Sequence, residues 1–182
     1  MREIEIKIKV KNLKALEVKL AAVNCWLSDP IRQEDVIYSL RGSEHEWREA
    51  KEGDIIVRIR RENTRSLFTL KKQQTNEMDN TELETEVSDP DAFHKALLLM
   101  GYVPQVEVKK NRKEGKWGEC EICLDEVDDL GTFVELEKLT DENADPNEVR
   151  EELFKVLENL GLSRNDEETQ GYDTQMYFLR KK

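Results

Sequence analysis

The chain has 182 residues, of which 38% are charged and 37% are hydrophobic, and its formal net charge is -11. This length suits one domain with its own core, which we expect to span residues 1–182. The acidic balance argues against nucleic acid or an anionic membrane as a partner, because both require a basic surface.

The sequence predicts a cytoplasmic protein. No stretch approaches the roughly 18 consecutive apolar residues of a membrane span, and the first residues lack the apolar core of a signal peptide. The odd number of cysteines, three, fits a reducing compartment better than a disulfide framework.

The first strand alternates strictly between charged and apolar side chains. Glu3, Glu5 and Lys7 share one face, and Ile4 and Ile6 begin the opposite face. A period of two residues is typical of a strand with one buried face. The usual interpretation places charge in solvent, but similar charged pairs recur on later strands. We therefore consider that the charged faces line one enclosed space.

Three helices are predicted from their caps and apolar spacing. Asn12 precedes the first, Asp89-Pro90 opens the second, and Asp145-Pro146 opens the third. Gly101 and Gly161 are expected to end the second and third helices.

Strands fill most of the remaining chain. After the first strand we expect strands at residues 33–41, 54–60, 66–72, 81–87, 103–112, 117–127 and 132–139. A loop is predicted from Arg41 to Gly53, and a hairpin turn from Lys113 to Lys116. Short turns favour antiparallel pairing, and eight antiparallel strands can close into a barrel. The predicted fold class is α+β, an eight-stranded antiparallel β-barrel with flanking α-helices.

Most strands carry charges on a single face. These charges are Arg58 and Arg60, Lys71, then Glu82, Glu84 and Glu86, then Glu121 and Asp125, and finally Glu135 and Glu137. In the sixth strand Val106, Val108, Lys110 and Arg112 share a parity, so a twist or bulge is considered there, and the choice between Lys109 and Lys110 as the inward residue stays open.

The combination of these residue types predicts a site for a metal-bound triphosphate. Several carboxylates close together repel unless a cation holds them, and oxygen ligands favour Mg²⁺ or Mn²⁺. Arginine and lysine side chains bind phosphate groups. Phosphoryl transfer requires mostly positioning and neutralisation of developing charge.

In this order the residues resemble the CYTH, or triphosphate tunnel metalloenzyme, superfamily. Glu3-Ile-Glu5-Ile-Lys7 matches its E-x-E-x-K signature, and the chain continues with R-x-R, Lys71, E-x-E-x-E, K-x-R and a final E-x-E. The resemblance covers roughly residues 1 to 160. Length, the segment from Gln33 to Asp35 and the stretch around Asp125 are most similar to the class IV adenylate cyclase branch. Asn80-Thr81 and Gly171-Tyr172 depart from the common pattern.

The resemblance implies a tunnel through the barrel and specific roles for its residues. The implied metal ligands are Glu3, Glu5, Glu135 and Glu137, and the implied triphosphate contacts are Lys7, Arg58, Arg60, Lys71, Lys110 and Arg112. Asp125 is placed near the metal or the attacking group, and Asp125, Lys7 and Arg112 are the candidate catalytic residues. Glu82, Glu84 and Glu86 are candidates for a second metal or a water.

Three functions remain open from the sequence. The first is a cyclase that converts ATP to cyclic AMP and pyrophosphate. The second is a triphosphatase that hydrolyses tripolyphosphate or thiamine triphosphate. The third is a binder of polyphosphate or nucleotide without turnover. Relatives in the cyclase branch are often dimeric, so the resemblance also allows a homodimer.

Overall fold

The computed structural model describes residues 2–40 and 51–181. In chain order the strands are β1 (Arg2–Lys9), β2 (Ile31–Leu40), β3 (Ile55–Glu62), β4 (Arg65–Gln73), β5 (Asp79–Glu86), β6 (Tyr102–Trp117), β7 (Cys120–Val127) and β8 (Gly131–Thr140). The helices are α1 (Leu13–Ala22), α2 (Pro90–Leu99), α3 (Pro146–Asn159) and α4 (Tyr172–Arg180), with a short 3₁₀ turn at Arg164–Asp166. Most of the predicted loop from Arg41 to Gly53 lies outside the described residues.

The eight strands form a closed barrel, which confirms the predicted fold class. Their order is β1-β5-β4-β3-β2-β6-β7-β8, every neighbouring pair is antiparallel, and β8 returns to pair with β1. The β1–β5 seam is the shortest, with three paired positions, whereas β1 and β8 pair over eight. Because side chains alternate along each strand, one set points into the barrel and the other faces the helices or solvent.

The main apolar cluster lies outside the barrel wall, beneath α1 and α3. Ile4, Ile6 and Ile8 of β1 are almost completely buried against Leu16 and Leu20 of α1 and residues of α3. The predicted caps form as expected. The side chains of Asn12, Asp89 and Asp145 accept hydrogen bonds from backbone N–H groups in the first turns of α1, α2 and α3. Because the main cluster lies outside the wall, much of the inner face can carry polar side chains. A smaller apolar cluster on that face includes Val106, Val108 and Phe133.

The predicted turn at Lys113 to Lys116 is wrong. Strand β6 continues to Trp117, and the hairpin turns at the next two residues, where Gly118 has φ +62°. Gly115 lies within the strand, and the segment of Trp26 passes close to its backbone. A Cβ at this position would lie 2.8 Å from the carbonyl oxygen of Trp26. This glycine therefore permits a close approach between two segments and is not a turn residue.

The inward face of β6 runs without a break through Val106, Val108, Lys110 and Arg112. A register shift does occur, but earlier, where β2 changes its pairing between Ile37 and Tyr38. Lys110 is 3% exposed and faces the interior, whereas Lys109 lies on the outer surface near Glu34. The structure thus settles the choice between the two lysines.

The sequence interpretation did not include α4. Its buried residues Tyr172 and Met176 are four positions apart, as one helical face requires, and they pack on Val106, Val108 and Phe133. Nowhere in residues 2–40 and 51–181 is there a helix with the length and apolar character needed to cross a bilayer.

Candidate active site

The barrel encloses a cavity of about 420 Å³ with charged walls. All six cationic side chains expected to contact triphosphate line it: Lys7, Arg58, Arg60, Lys71, Lys110 and Arg112. They come from four different strands, and closure of the barrel brings them together. A set of cationic side chains in one cavity can bind an extended anion, because each of them presents N–H donors to it.

Three of the four expected metal ligands form a compact cluster. Oxygen atoms of Glu5, Glu135 and Glu137 lie within 4.8 Å of one another. The register explains this proximity, because Glu5 pairs with Glu137 and Lys7 with Glu135 across β1 and β8. A cluster of carboxylate oxygens is the donor set that Mg²⁺ and Mn²⁺ accept.

The electrostatics of the cluster also fit a cation. Burial and the charge of Glu135 raise the pKa of Glu5 to about 7. Burial and the charge of Glu3 raise the pKa of Glu137 well above its ordinary value. Burial acts in the same direction on Glu135, but Arg112, Lys7 and Lys110 outweigh it and hold the pKa of Glu135 below its ordinary value. The cations near the carboxyls of Glu5 and Glu137 thus do not offset burial and like charge, and a divalent cation would stabilise their ionised form.

Glu3 takes a different position from the other three. It lies in the cavity wall, but its carboxylate is 3.3 Å from Lys71 Nζ, which is also 2.7 Å from Glu82. Burial lowers the pKa of Lys71, and the charges of Glu3 and Glu82 reverse this effect and raise it. Lys71 therefore bridges the carboxylates of Glu3 and Glu82 in a half-buried group beside the cluster.

The carboxylates of β5 divide between the cavity and the surface. Glu82 and Glu84 line the cavity, and Arg58 Nη2 lies 3.6 Å from each of them. Burial raises the pKa of Glu82, but Lys71 and Arg58 outweigh it and bring that pKa to about 2. Glu86 is exposed and lies outside the cavity lining. The structure brings two of the three proposed second-metal residues to the site, and both contact a cation.

Asp125 lies behind the cavity wall. The carboxylate is 0% exposed, accepts hydrogen bonds from Arg112 Nε at 2.7 Å and Nη2 at 2.6 Å, and lies 3.1 Å from Lys110 Nζ. The residue is not part of the cavity lining. In this position Asp125 holds Arg112 and Lys110 in place.

Asp35 supports the arginines of β3 in the same way. It accepts two hydrogen bonds of 2.8 Å from Arg60, and Arg58 Nη1 lies 3.7 Å away. Burial raises the pKa of Asp35, but the two guanidinium groups outweigh it and hold that pKa below its ordinary value. The sequence interpretation noted the segment containing Asp35 without giving this residue a role.

Several lining residues had no predicted role. Gln33 donates a 2.8 Å hydrogen bond to Glu62, and the backbone N–H of Gly171 donates one of 2.6 Å to Glu77. Residues Gly171 to Asp173, at the start of α4, also line the cavity. In the sequence, this region stood out only because Gly171-Tyr172 departs from the common pattern of the family that the chain resembles.

A second group of possible metal-ligating residues, besides Glu5, Glu135 and Glu137, is formed by Glu114, Glu121 and Cys123. Its ligand atoms also lie within 4.8 Å of one another.

Comparison with known proteins identifies the family. Residues 1–172 match the family described as CYTH domain. The chain belongs to the CYTH domain family. Its ordered charged motifs and its closed barrel are thus those of a CYTH protein.

Named relatives of this CYTH protein are moderately similar. Adenylate cyclase CyaB of Aeromonas hydrophila is 26% identical over 173 residues, which is 94% of this chain and 87% of the relative. A protein of Methanocaldococcus jannaschii, provisionally named as an adenylate cyclase, is 26% identical over 168 residues, 91% and 93% of the two chains. The PH1012 protein from Pyrococcus horikoshii superimposes with a TM-score of 0.80 at 26% identity, over 96% of this chain and 98% of its own.

Proposed function

We propose that this CYTH protein is a divalent-metal-dependent enzyme that converts ATP to cyclic AMP and pyrophosphate. The observation that carries the proposal is that one cavity holds both the cluster of Glu5, Glu135 and Glu137 and six cationic side chains. The relatives named adenylate cyclase support the choice of reaction.

The cationic residues bind and orient the triphosphate. Arg60 and Arg112 are each fixed by two hydrogen bonds to a buried aspartate, so their remaining N–H groups are preorganised. Lys7 and Lys110 add two nearly completely buried ammonium groups. When a ligand replaces water in such a site, each charge acts more strongly on the phosphate oxygens because the local dielectric is low.

The carboxylates would hold the metal ion. Glu5, Glu135 and Glu137 would bind Mg²⁺ or Mn²⁺, with Glu3 next to them on β1. When bound, the ion neutralises charge on the triphosphate and on the oxygen atoms that gain charge during transfer. In the cyclase reaction the ribose 3′-oxygen forms a bond to the α-phosphorus and its proton is released to water. The bond from the α-phosphorus to the bridging oxygen breaks, and pyrophosphate leaves.

One observation favours the triphosphatase alternative. The described lining is dominated by charged and polar residues, and its apolar members are Ile37, Ile56, Leu67, Met78 and Val108, with the ring of Tyr172. A base needs an apolar or aromatic surface, whereas inorganic tripolyphosphate needs only charge. The same cavity suits hydrolysis if water is the attacking group.

Product analysis tests these alternatives. The purified protein is incubated with ATP and, separately, with inorganic tripolyphosphate, each with Mg²⁺ or Mn²⁺ at neutral to alkaline pH. We expect cyclic AMP and equimolar pyrophosphate from ATP. Orthophosphate from tripolyphosphate with ATP unchanged would establish the triphosphatase, and tight binding without any product would establish the non-catalytic binder.

A further inference from the structure

The first residue of α4 places an aromatic ring inside the charged cavity. Tyr172 is 8% exposed and belongs to the cavity lining. Its ring packs edge-on against Phe133, with 5.1 Å between the ring centroids and an angle of 62° between the planes. The ring is thus fixed within the barrel by β8 on one side and by its own helix on the other.

Two lysines expected to bind triphosphate lie next to this ring. Lys7 Nζ is 4.2 Å from the ring centroid, and Lys110 Nζ is 5.0 Å from it. Both lysines are nearly completely buried, at 1% and 3% exposure. The face of an aromatic ring attracts a cation, and the attraction grows when the cation is removed from water.

The segment before Tyr172 is attached to the same part of β1. The backbone N–H of Glu168 donates a 2.8 Å hydrogen bond to the carbonyl of Lys7, and Lys7 Nζ lies 3.1 Å from the carbonyl oxygen of Gln170. The N–H of Gly171 donates to the carboxylate of Glu77. These contacts fix the position of the ring relative to Lys7 through the backbone.

A ring differs from a carboxylate in its effect on anion binding. The carboxylates of Glu135 and Asp125, at 3.4 Å from Lys7 and 3.1 Å from Lys110, cancel part of the positive charge that a phosphate requires. The neutral ring of Tyr172 attracts both ammonium groups without cancelling their charge. It can therefore hold two neighbouring lysines in place while leaving them able to bind an anion.

We propose that Tyr172 is a positioning residue for triphosphate binding, which acts by holding the ammonium groups of Lys7 and Lys110 against its ring. The proposal rests on the proposed function only in that the cavity binds a triphosphate. It is independent of whether the bound triphosphate is cyclised or hydrolysed.

The test compares two variants of the full chain with wild type, using inorganic tripolyphosphate as the probe in isothermal titration calorimetry. Tyr172→Phe keeps the ring and should bind as wild type does. Tyr172→Leu removes the ring and should bind about tenfold or more weakly, since the cation–π attraction is strongest at desolvated sites. The matched control is Tyr177→Leu, the same change on the same helix at a residue outside the cavity lining, and it should bind normally.

The outcomes separate the two proposals. Equal binding by Tyr172→Leu and wild type would overturn the role of Tyr172 and leave the proposed function standing. Equal weakening in the Tyr172→Leu and Tyr172→Phe variants would do the same. Absence of binding by wild type would overturn the proposed function and this inference together. If Tyr172→Leu does not fold, NMR of wild type and Tyr172→Phe replaces the binding measurement. Two lysine side chains should show ε-methylene protons shifted upfield, and these signals should move when tripolyphosphate is added. Unshifted signals would contradict the inference.

Discussion

Arg112 donates two hydrogen bonds, of 2.7 and 2.6 Å, to a carboxylate of Asp125 that is 0% exposed. The guanidinium of Arg112 also contacts Glu135, one of the three clustered carboxylates. Arg112 thus connects the buried carboxylate of Asp125 with Glu135 of the expected metal site. Asp125 acts through Arg112 and Lys110, and its removal should disturb both.

The first prediction concerns Asp125. Asp125→Asn removes the buried counter-charge of Lys110 and one of the carboxylates that pair with Arg112, which keeps its contact with Glu135. Breaking such a buried pair should cost about 3–5 kcal/mol of the free energy of unfolding. Saturating tripolyphosphate should recover part of that loss, because the anion supplies the missing negative charge. Urea unfolding with and without tripolyphosphate measures both effects.

The control for that experiment is Asp128→Asn. Asp128 also forms an ion pair with an arginine, Arg32, but both side chains are exposed. Exposed pairs contribute about 0–1 kcal/mol, so this variant should unfold almost as wild type does. A similar loss of unfolding free energy in the two variants would contradict the expectation that the buried pair of Asp125 contributes more than the exposed pair of Asp128.

The second prediction concerns Glu137. Glu137→Gln removes one negative charge from a crowded, buried cluster, so the metal-free protein should be as stable as wild type or more stable. Affinity for Mn²⁺ should fall at least about tenfold because a ligand is lost, and turnover should be abolished. Calorimetry with Mn²⁺ and product analysis measure the two losses. Glu86→Gln, outside the cavity lining, is the matched control, and near-normal activity of Glu137→Gln would refute the assignment of the metal site.

The third prediction is that metal affinity depends on pH. The raised pKa of Glu5, about 7, means that the folded protein holds this proton more tightly than the unfolded chain does. Without metal, stability should therefore fall as pH rises from the ordinary carboxyl value toward about 7. Since a metal must displace the proton, affinity for Mg²⁺ should rise over the same range and then level off. Calorimetry at several pH values, in buffers of different ionisation enthalpy, would detect the released protons, and a pH-independent affinity would argue against this site.

The fourth prediction concerns the shortest seam of the barrel. Arg2 of β1 forms a bidentate ion pair with the completely buried Asp79 of β5, at 2.7 Å for each contact. Burial raises the pKa of Asp79, but the hydrogen bonds from Arg2 and Thr75 outweigh it and lower that pKa. Stability from this pair is present above the ordinary value of 3.8 and is lost as the pH falls through the lowered pKa of the folded state.

Asp79→Asn should therefore destabilise the protein at neutral pH by about 3–5 kcal/mol, as expected when one member of a buried ion pair is removed. It should also reduce the loss of stability in acid. Hydrogen exchange should locate the effect at the β1–β5 amides, because no more than three positions of the described residues pair there. Uniformly faster exchange across all strands, without a focus at this seam, would contradict the role given to the pair.

Some parts of the fold were evident from local patterns. The alternation of β1 assigned Glu3, Glu5 and Lys7 to the interior, and the cap residues located the starts of three helices correctly. These features depend on near neighbours in sequence, through the two-residue period of a strand and the need to satisfy the first N–H groups of a helix. The turn near Gly115 was placed wrongly because the reason for that glycine is a distant segment, at Trp26.

The sequence alone determined which side chains share a face, because the direction of a side chain along a strand is a local covalent property. The tertiary structure decided which of them meet. Barrel closure and register place Glu5 beside Glu137, pair Glu3 with Lys71, leave Glu86 outside and put Asp125 behind Arg112. It also brings Tyr172, which is distant in sequence, next to Lys7 and Lys110. These contacts depend on how far each strand is shifted against its neighbours around the closed barrel, and no single strand carries that information.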